Sequence, residues 1–159
     1  GAVVDGLPVY RVRQADARMW GFEAQASLKF AEHGRWSFYA DALADLVQTG
    51  ILGSGPAPRI PPLRFMGGLK AKSAHFDAGV EVERVTTQTR TAAFETATPG
   101  YTMVNAELSW RPSGNDSPLS VVLSANNLFD VEARRHASFL KDYAPLAGRD
   151  IRLTVRVEI

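Results

Sequence analysis

Long runs of strict two-residue alternation constrain this chain more than any other feature. From Met19 to Phe30 one set of positions reads Trp20, Phe22, Ala24, Ala26, Leu28 and Phe30. The interleaved set reads Met19, Gly21, Glu23, Gln25, Ser27 and Lys29. A helix mixes these two sets on every face, whereas a strand sends them to opposite sides. Trp36 to about Leu46 repeats the pattern, with Trp36, Phe38, Ala40, Ala42, Ala44 and Leu46 opposing Ser37, Tyr39, Asp41, Leu43 and Asp45. So do Leu63–Ser73, His75 to about Arg90, Tyr101–Arg111, Leu119–Leu128 and Ile151–Ile159. The expectation is an all-β chain of about seven strands, most longer than the roughly 5–6 residues of ordinary globular strands.

Strand length points to a bilayer, which a tilted strand crosses in about 9–11 residues. The connections agree. Glu32–Arg35, Ser73–His75 and Pro112–Pro118 are short and rich in turn formers, while 49–62, 91–100 and 129–149 are long. Short turns on one side and long loops on the other are the layout of an antiparallel up-and-down transmembrane barrel. Trp20, Trp36, Tyr39, Tyr101 and Trp110 are candidates for its aromatic girdles. The alternative is a soluble β-sandwich, or a small autonomous barrel, with a binding or structural role. Alanine on the apolar face argues against the sandwich, because alanine fills a core poorly.

Composition narrows function. With 18 basic and 17 acidic residues, no excess of positive charge invites a nucleic acid. The absence of cysteine removes disulfides, thiolate metal sites and thiol nucleophiles. No apolar run approaches the roughly 18 residues of a membrane helix, and the opening residues do not read as a signal peptide. No G-x-S-x-G, H-E-x-x-H or phosphate-binding glycine loop is present. His136 and Ser138 share one side of an extended segment but lack an acidic orienter, so no catalytic residue and no cofactor is expected.

About seven strands is an odd number, whereas bacterial single-chain barrels use even numbers from about 8 upward. An open sheet in lipid leaves edge N–H and C=O groups unpaired. The expectation is therefore a fragment whose earlier strands lie upstream, with Gly6–Tyr10 as the end of an outer loop.

Five stretches carry a resemblance to the C-terminal third of TonB-dependent outer-membrane receptors. Gln14–Glu23, with Gly21 and Glu23, resembles a late barrel strand of that family. Pro58-Arg59-Ile60-Pro61-Pro62 resembles the loop-to-strand entry one hairpin later, and Pro99–Thr102 the entry to the third-from-last strand. Asn126-Asn127-Leu128-Phe129-Asp130 is similar to the family's most recognisable C-terminal signature. His136–Asp142 (with Phe139 and Lys141), then Pro145 and Gly148-Arg149, resembles the last outer loop of a branch that includes zinc- and iron-uptake receptors.

The resemblance implies about seven C-terminal strands of a barrel of about 22, plugged by an upstream domain and sited in the outer membrane. Implied partners are outer-membrane lipid, the plug and upstream strands, the TonB complex through the absent N-terminal part, and the barrel-assembly machinery at the last strand. The family usually ends on an aromatic residue, and this chain ends on Ile159. The implied function is energy-coupled import of a scarce nutrient, with a slight tilt to a metal ion or metal–siderophore complex.

Individual residues support narrower expectations. Asn126, Asn127 and Asp130 suit the capping of a ladder where the chain leaves the membrane. Pro61 and Pro62 cannot donate to a ladder and so set where the next strand begins. Glu23, Lys29, Asp41, Asp45, Arg64, Lys70, Asp77, Glu81, Glu83, Glu107, Arg111, Arg152 and Arg156 fall on the polar faces, either pairing among themselves or meeting plug and solute. His33 and His75 fall in inner turns. His136, with Asp142 nearby on the outer loop, either orders that loop by hydrogen bonds or offers imidazole and carboxylate to zinc or iron. Tyr143, Lys141 and Arg149 suit an anionic chelate.

Overall fold

The computed structural model describes residues 3–8 and 14–158. A small ribbon of β1 (Val3–Val4) and β2 (Leu7–Pro8) turns at Asp5 and Gly6, both left-handed at φ 51° and 80°. The main sheet is built from β3 (Ala17–His33), β4 (Trp36–Ile51), β6 (Arg64–Lys72), β7 (Phe76–Val85), β8 (Tyr101–Trp110), β9 (Leu119–Asn126) and β10 (Asp150–Val157), with a short β5 (Gly55–Pro56) on β4. Each long strand pairs antiparallel with its sequence neighbour, in the order β10-β9-β8-β7-β6-β4-β3. This is an up-and-down meander. Among the described residues β3 and β10 do not pair, so the sheet is open.

Register sorts the side chains into two faces. Glu23 faces Asp45, Asp45 faces Arg64, and Arg64 faces Val85, which puts these residues on one side. Ala26, Ala42, Gly67 and Val82 are aligned on the other. The second face is apolar, and among the described residues nothing packs upon it: Trp20, Phe22, Leu28, Phe30, Phe65, Leu69, Leu123, Ile151 and Leu153 are all exposed. Among the described residues only Val85, Tyr101 and Ala133 are buried hydrophobics, a small cluster with Met103, Val131 and Leu146 beneath the last long loop. A soluble sandwich needs a core between its sheets, and none is formed here.

The apolar face is edged with aromatics. Phe30, Trp36, Phe38, Phe76 and Trp110 stand near the short turns, and Trp20, Phe22 and Phe65 near the long loops. Trp20 and Phe30 are ten residues apart on β3, about 33 Å of strand, or roughly 25 Å at a tilt near 40°. That matches the apolar band of an outer-membrane barrel. Tyr39 and Tyr101 do not join these girdles. Their register puts them on the polar face, where Tyr39 receives the Lys72 ammonium 5.7 Å from its ring and Tyr101 is buried.

Strand limits differ most from expectation in β4 and β7. β4 continues past Leu46 to Ile51, because Val47–Ile51 keep pairing with Gly21–Ala17 above the apolar band. β7 stops at Val85, not near Arg90, and only an isolated Gln88–Thr98 bridge continues toward β8. β9 ends at Asn126, where Asn127 turns left-handed at φ 50°. The turn before β9 contains a single 3-10 turn at Gly114–Asp116. Val9, Tyr10 and the terminal Ile159 lie outside the described residues.

Candidate functional site

The polar face is laced with ion pairs. Asp41 accepts from Ser27 at 2.6 Å and pairs with Lys70 at 2.7 Å. Arg64 Nε donates to Asp45 at 2.7 Å, and its Nη1 lies 3.6 Å from Glu83. Arg111 forks onto both oxygens of Asp77 at 3.0 and 3.1 Å. Same-face positions recur every second residue, so opposite charges meet either directly across the ladder, as Asp45 and Arg64 do, or on its diagonal, as Asp41 and Lys70 do. The pairs are half-exposed, worth up to about 1 kcal/mol each. A recess of about 450 Å³ between Lys70, Glu81, Asn105 and Glu107 opens on this face, where Gly68 and Gly79 present no side chain.

At the end carrying the long loops, three loops are stitched together. Glu95, from the β7–β8 loop, accepts the Arg59 N–H at 2.8 Å through Oε1 and the Ala92 N–H at 3.0 Å through Oε2. Its Oε1 also lies 3.3 Å from Lys141 Nζ and 3.3 Å from His136 Nε2, both on the β9–β10 loop. The side chains of Glu95, His136 and Lys141 are 7%, 1% and 6% exposed. Arg59 in turn lays its guanidinium 3.7 Å above the Phe139 ring, and Thr96 donates to Asp142 at 2.5 Å.

The network assigns the imidazole its proton. Thr98 Oγ1 is 2.9 Å and Lys141 Nζ 3.4 Å from His136 Nδ1. An ammonium can only donate, so Nδ1 accepts and Nε2–H faces Glu95. Burial pushes the His136 pKa below its ordinary 6.5, the Lys141 charge pushes the same way, and Glu95 opposes them. Burial also works against the Glu95 carboxylate, yet the Ala92 and Arg59 N–H groups and Lys141 outweigh it and hold Glu95 below its ordinary range. The result is a neutral imidazole beside a buried ammonium–carboxylate pair.

The signature residues of the last loop are placed as backbone supports. Asn127, 1% exposed, donates through Nδ2 to Val131 O at 2.9 Å and Ala147 O at 3.2 Å, and accepts from Val131 N at 2.8 Å. Asp130 accepts the Arg149 N–H at 2.8 Å, and a Cβ on Gly148 would come within 2.9 Å of its Oδ1. Leu128 N donates to Val104 O, while Phe129 is exposed. Asn126 ends the ladder opposite Asp150. Pro58 and Pro61 lie in the segment leading to β6, which begins at Arg64. Gly21 is required because a Cβ there would collide with the Leu46 carbonyl, and Glu23 lies opposite Asp45 on the polar face.

Several expectations are sharpened by these positions. Lys141 is committed to Glu95 and to the Thr96 carbonyl, so it does not offer its charge to a chelate. Tyr143 and Arg149 are exposed on the loop. Ser138 Oγ accepts the Leu140 N–H at 3.1 Å, and no bond joins it to His136. His75 Nδ1 meets the Arg111 carbonyl in an inner turn. Among the described residues no three His, Asp or Glu side chains gather as a metal site. Glu95, Thr98 and Asn105 were not legible as candidates. Asn105 supplies the Asn127 N–H with an acceptor at 2.9 Å.

Comparison with known proteins agrees with this architecture. A family model described as TonB dependent receptor-like, beta-barrel, matches residues 2–128. Among solved structures, one titled copper transporter OprC superposes on 90% of this chain with a TM-score of 0.75 at 22% identity. This chain spans 24% of that protein. At that identity the likeness is one of fold.

Proposed function

Because the chain belongs to the TonB-dependent receptor family, as a length of its β-barrel, we propose that it forms part of the wall of an outer-membrane receptor importing a scarce nutrient, a metal ion or metal chelate. Receptors of this family are transporters. The observation that carries the reading is the two-faced sheet: an unpacked apolar face edged by two aromatic tiers, backed by a face of paired charges. Lipid suits the first and a polar lumen the second. In this reading the plug domain and remaining strands lie in other parts of the receptor, TonB supplies the energy, and β10 meets the assembly machinery.

The metal class rests on the resemblance of the His136–Asp142 loop to zinc- and iron-uptake receptors. The latch of Glu95, His136 and Lys141 then holds the vestibule in shape and leaves solute contacts to exposed groups such as Tyr143 and Arg149. The test is accumulation of copper, zinc, iron and ferric chelates by cells with and without the full-length receptor, in backgrounds with and without TonB. One of these should enter only when both are present. Unchanged accumulation of all of them would remove the metal assignment.

A further inference from the structure

The apolar face ends, at its outer edge, in a basic groove. A groove of about 350 Å³ there is lined by Arg18, Trp20, Gln48, Thr49, Leu52 and Arg90. Arg18 lies directly opposite Gly50 in the β3–β4 register. Arg90, from the loop after β7, brings Nη2 to 3.9 Å from the position a Cβ on Gly50 would take. Opposed Cβ positions stand roughly 5 Å apart, so both guanidinium groups serve one groove. No Asp or Glu lines it among the described residues.

The groove differs from the recesses of the polar face, where Lys70 and Arg64 already have carboxylates. Here two cations converge, and among the described residues no carboxylate lines the groove with them. Guanidinium forks match phosphate oxygens in pairs. The height is also informative: Arg18 is two residues, about 7 Å of strand, beyond Trp20, which places it at head-group level above the outer aromatic tier.

We propose that this groove holds the phosphate of a membrane-lipid head group in the outer leaflet, with the acyl chains descending over Trp20, Phe22 and Leu46. Arg18 and Arg90 grip the phosphate, and Gln48, opposite Trp20 on the same face, supplies a further polar contact. The inference rests on the outer-membrane reading and adds to it a defined lipid site.

The test uses the purified full-length receptor in detergent and native mass spectrometry with bis-phosphorylated lipid A as probe. Arg18→Gln/Arg90→Gln should weaken binding about thirtyfold, the equivalent of ~1 kcal/mol per cation beside an anionic surface. Arg18→Lys/Arg90→Lys should retain part of the affinity, because lysine still meets phosphate as a point charge. Arg35→Gln, at the opposite end of the sheet, serves as the control and should change nothing. Heat-modifiable mobility on gels confirms that each variant is folded. A folded Gln variant with wild-type affinity overturns the proposal, and so does equal binding of dephosphorylated lipid A. Displacement by inorganic phosphate at the lipid's own concentration would show a free-anion site and would also overturn it. A receptor that never inserts in the outer membrane defeats the broader reading, whereas an inserted receptor with unaltered lipid affinity defeats only this one.

Discussion

Lys141 places its ammonium 3.3 Å from Oε1 of Glu95, a residue 46 positions earlier in the chain. The contact joins two outer loops, and Glu95 carries it to a third through the Arg59 N–H. Removing either partner leaves a buried charge alone, at a cost of about 3–5 kcal/mol. Lys141→Met or Glu95→Gln should therefore speed amide exchange in all three loops of the full-length receptor. The double variant should recover part of the loss. Single and double variants that behave additively would mean the two groups are not coupled.

The same latch should weaken in acid. His136 has its folded pKa depressed below the ordinary 6.5. As pH falls through 6.5 the opened loop takes up a proton that the closed loop refuses, so closure is fully favoured above that pH and loses ground below it. Glu95 is also depressed, so its share is present above its ordinary 4.5 and is lost as pH falls through the lower folded value. Limited proteolysis of the outer loops from pH 8 to pH 5 should show rising cleavage below about 6.5. His136→Asn should flatten that rise. A profile flat in the wild type would refute the linkage.

Asn127 combines a left-handed φ of 50° with three hydrogen bonds to the backbone of its own loop. Asn127→Ala should cost at least about 2 kcal/mol, because it strands buried partners and strains the backbone. Asn127→Gly should recover only the backbone share. Thermal unfolding of the two variants, compared with wild type, separates the contributions. Equal losses would indicate that conformation contributes nothing.

The two faces can be told apart by neighbouring substitutions. Ala42 lies mid-strand on the apolar face and Leu43 on the polar one. Ala42→Arg should lower the stability of the receptor in lipid vesicles by about 2–4 kcal/mol, and Leu43→Arg by clearly less. Denaturant unfolding in vesicles measures both. The reverse order would invert the assignment of the faces.

Alternation made the strands and their two faces legible without coordinates, because a two-residue period is a local property: Trp20, Phe22 and Ala24 announce one side of β3 and Gly21 and Glu23 the other. The same parity already set Tyr39 beside Asp41, and the structure bears out that polar position over a girdle role. Turn chemistry located the inner turns, and the order of the motifs pointed to the family that the match over residues 2–128 bears out. Tertiary structure alone decided the outer mouth. Glu95 sits in a loop whose local pattern gives it no distinction, and its partners lie 36 to 46 residues away, at Arg59 and Lys141. It likewise set Arg90 above Gly50, opposite Arg18. Hydrogen bonds across a ladder repeat with the strand and leave a periodic trace in sequence, whereas a contact between loop tips depends on where several strands happen to deliver them.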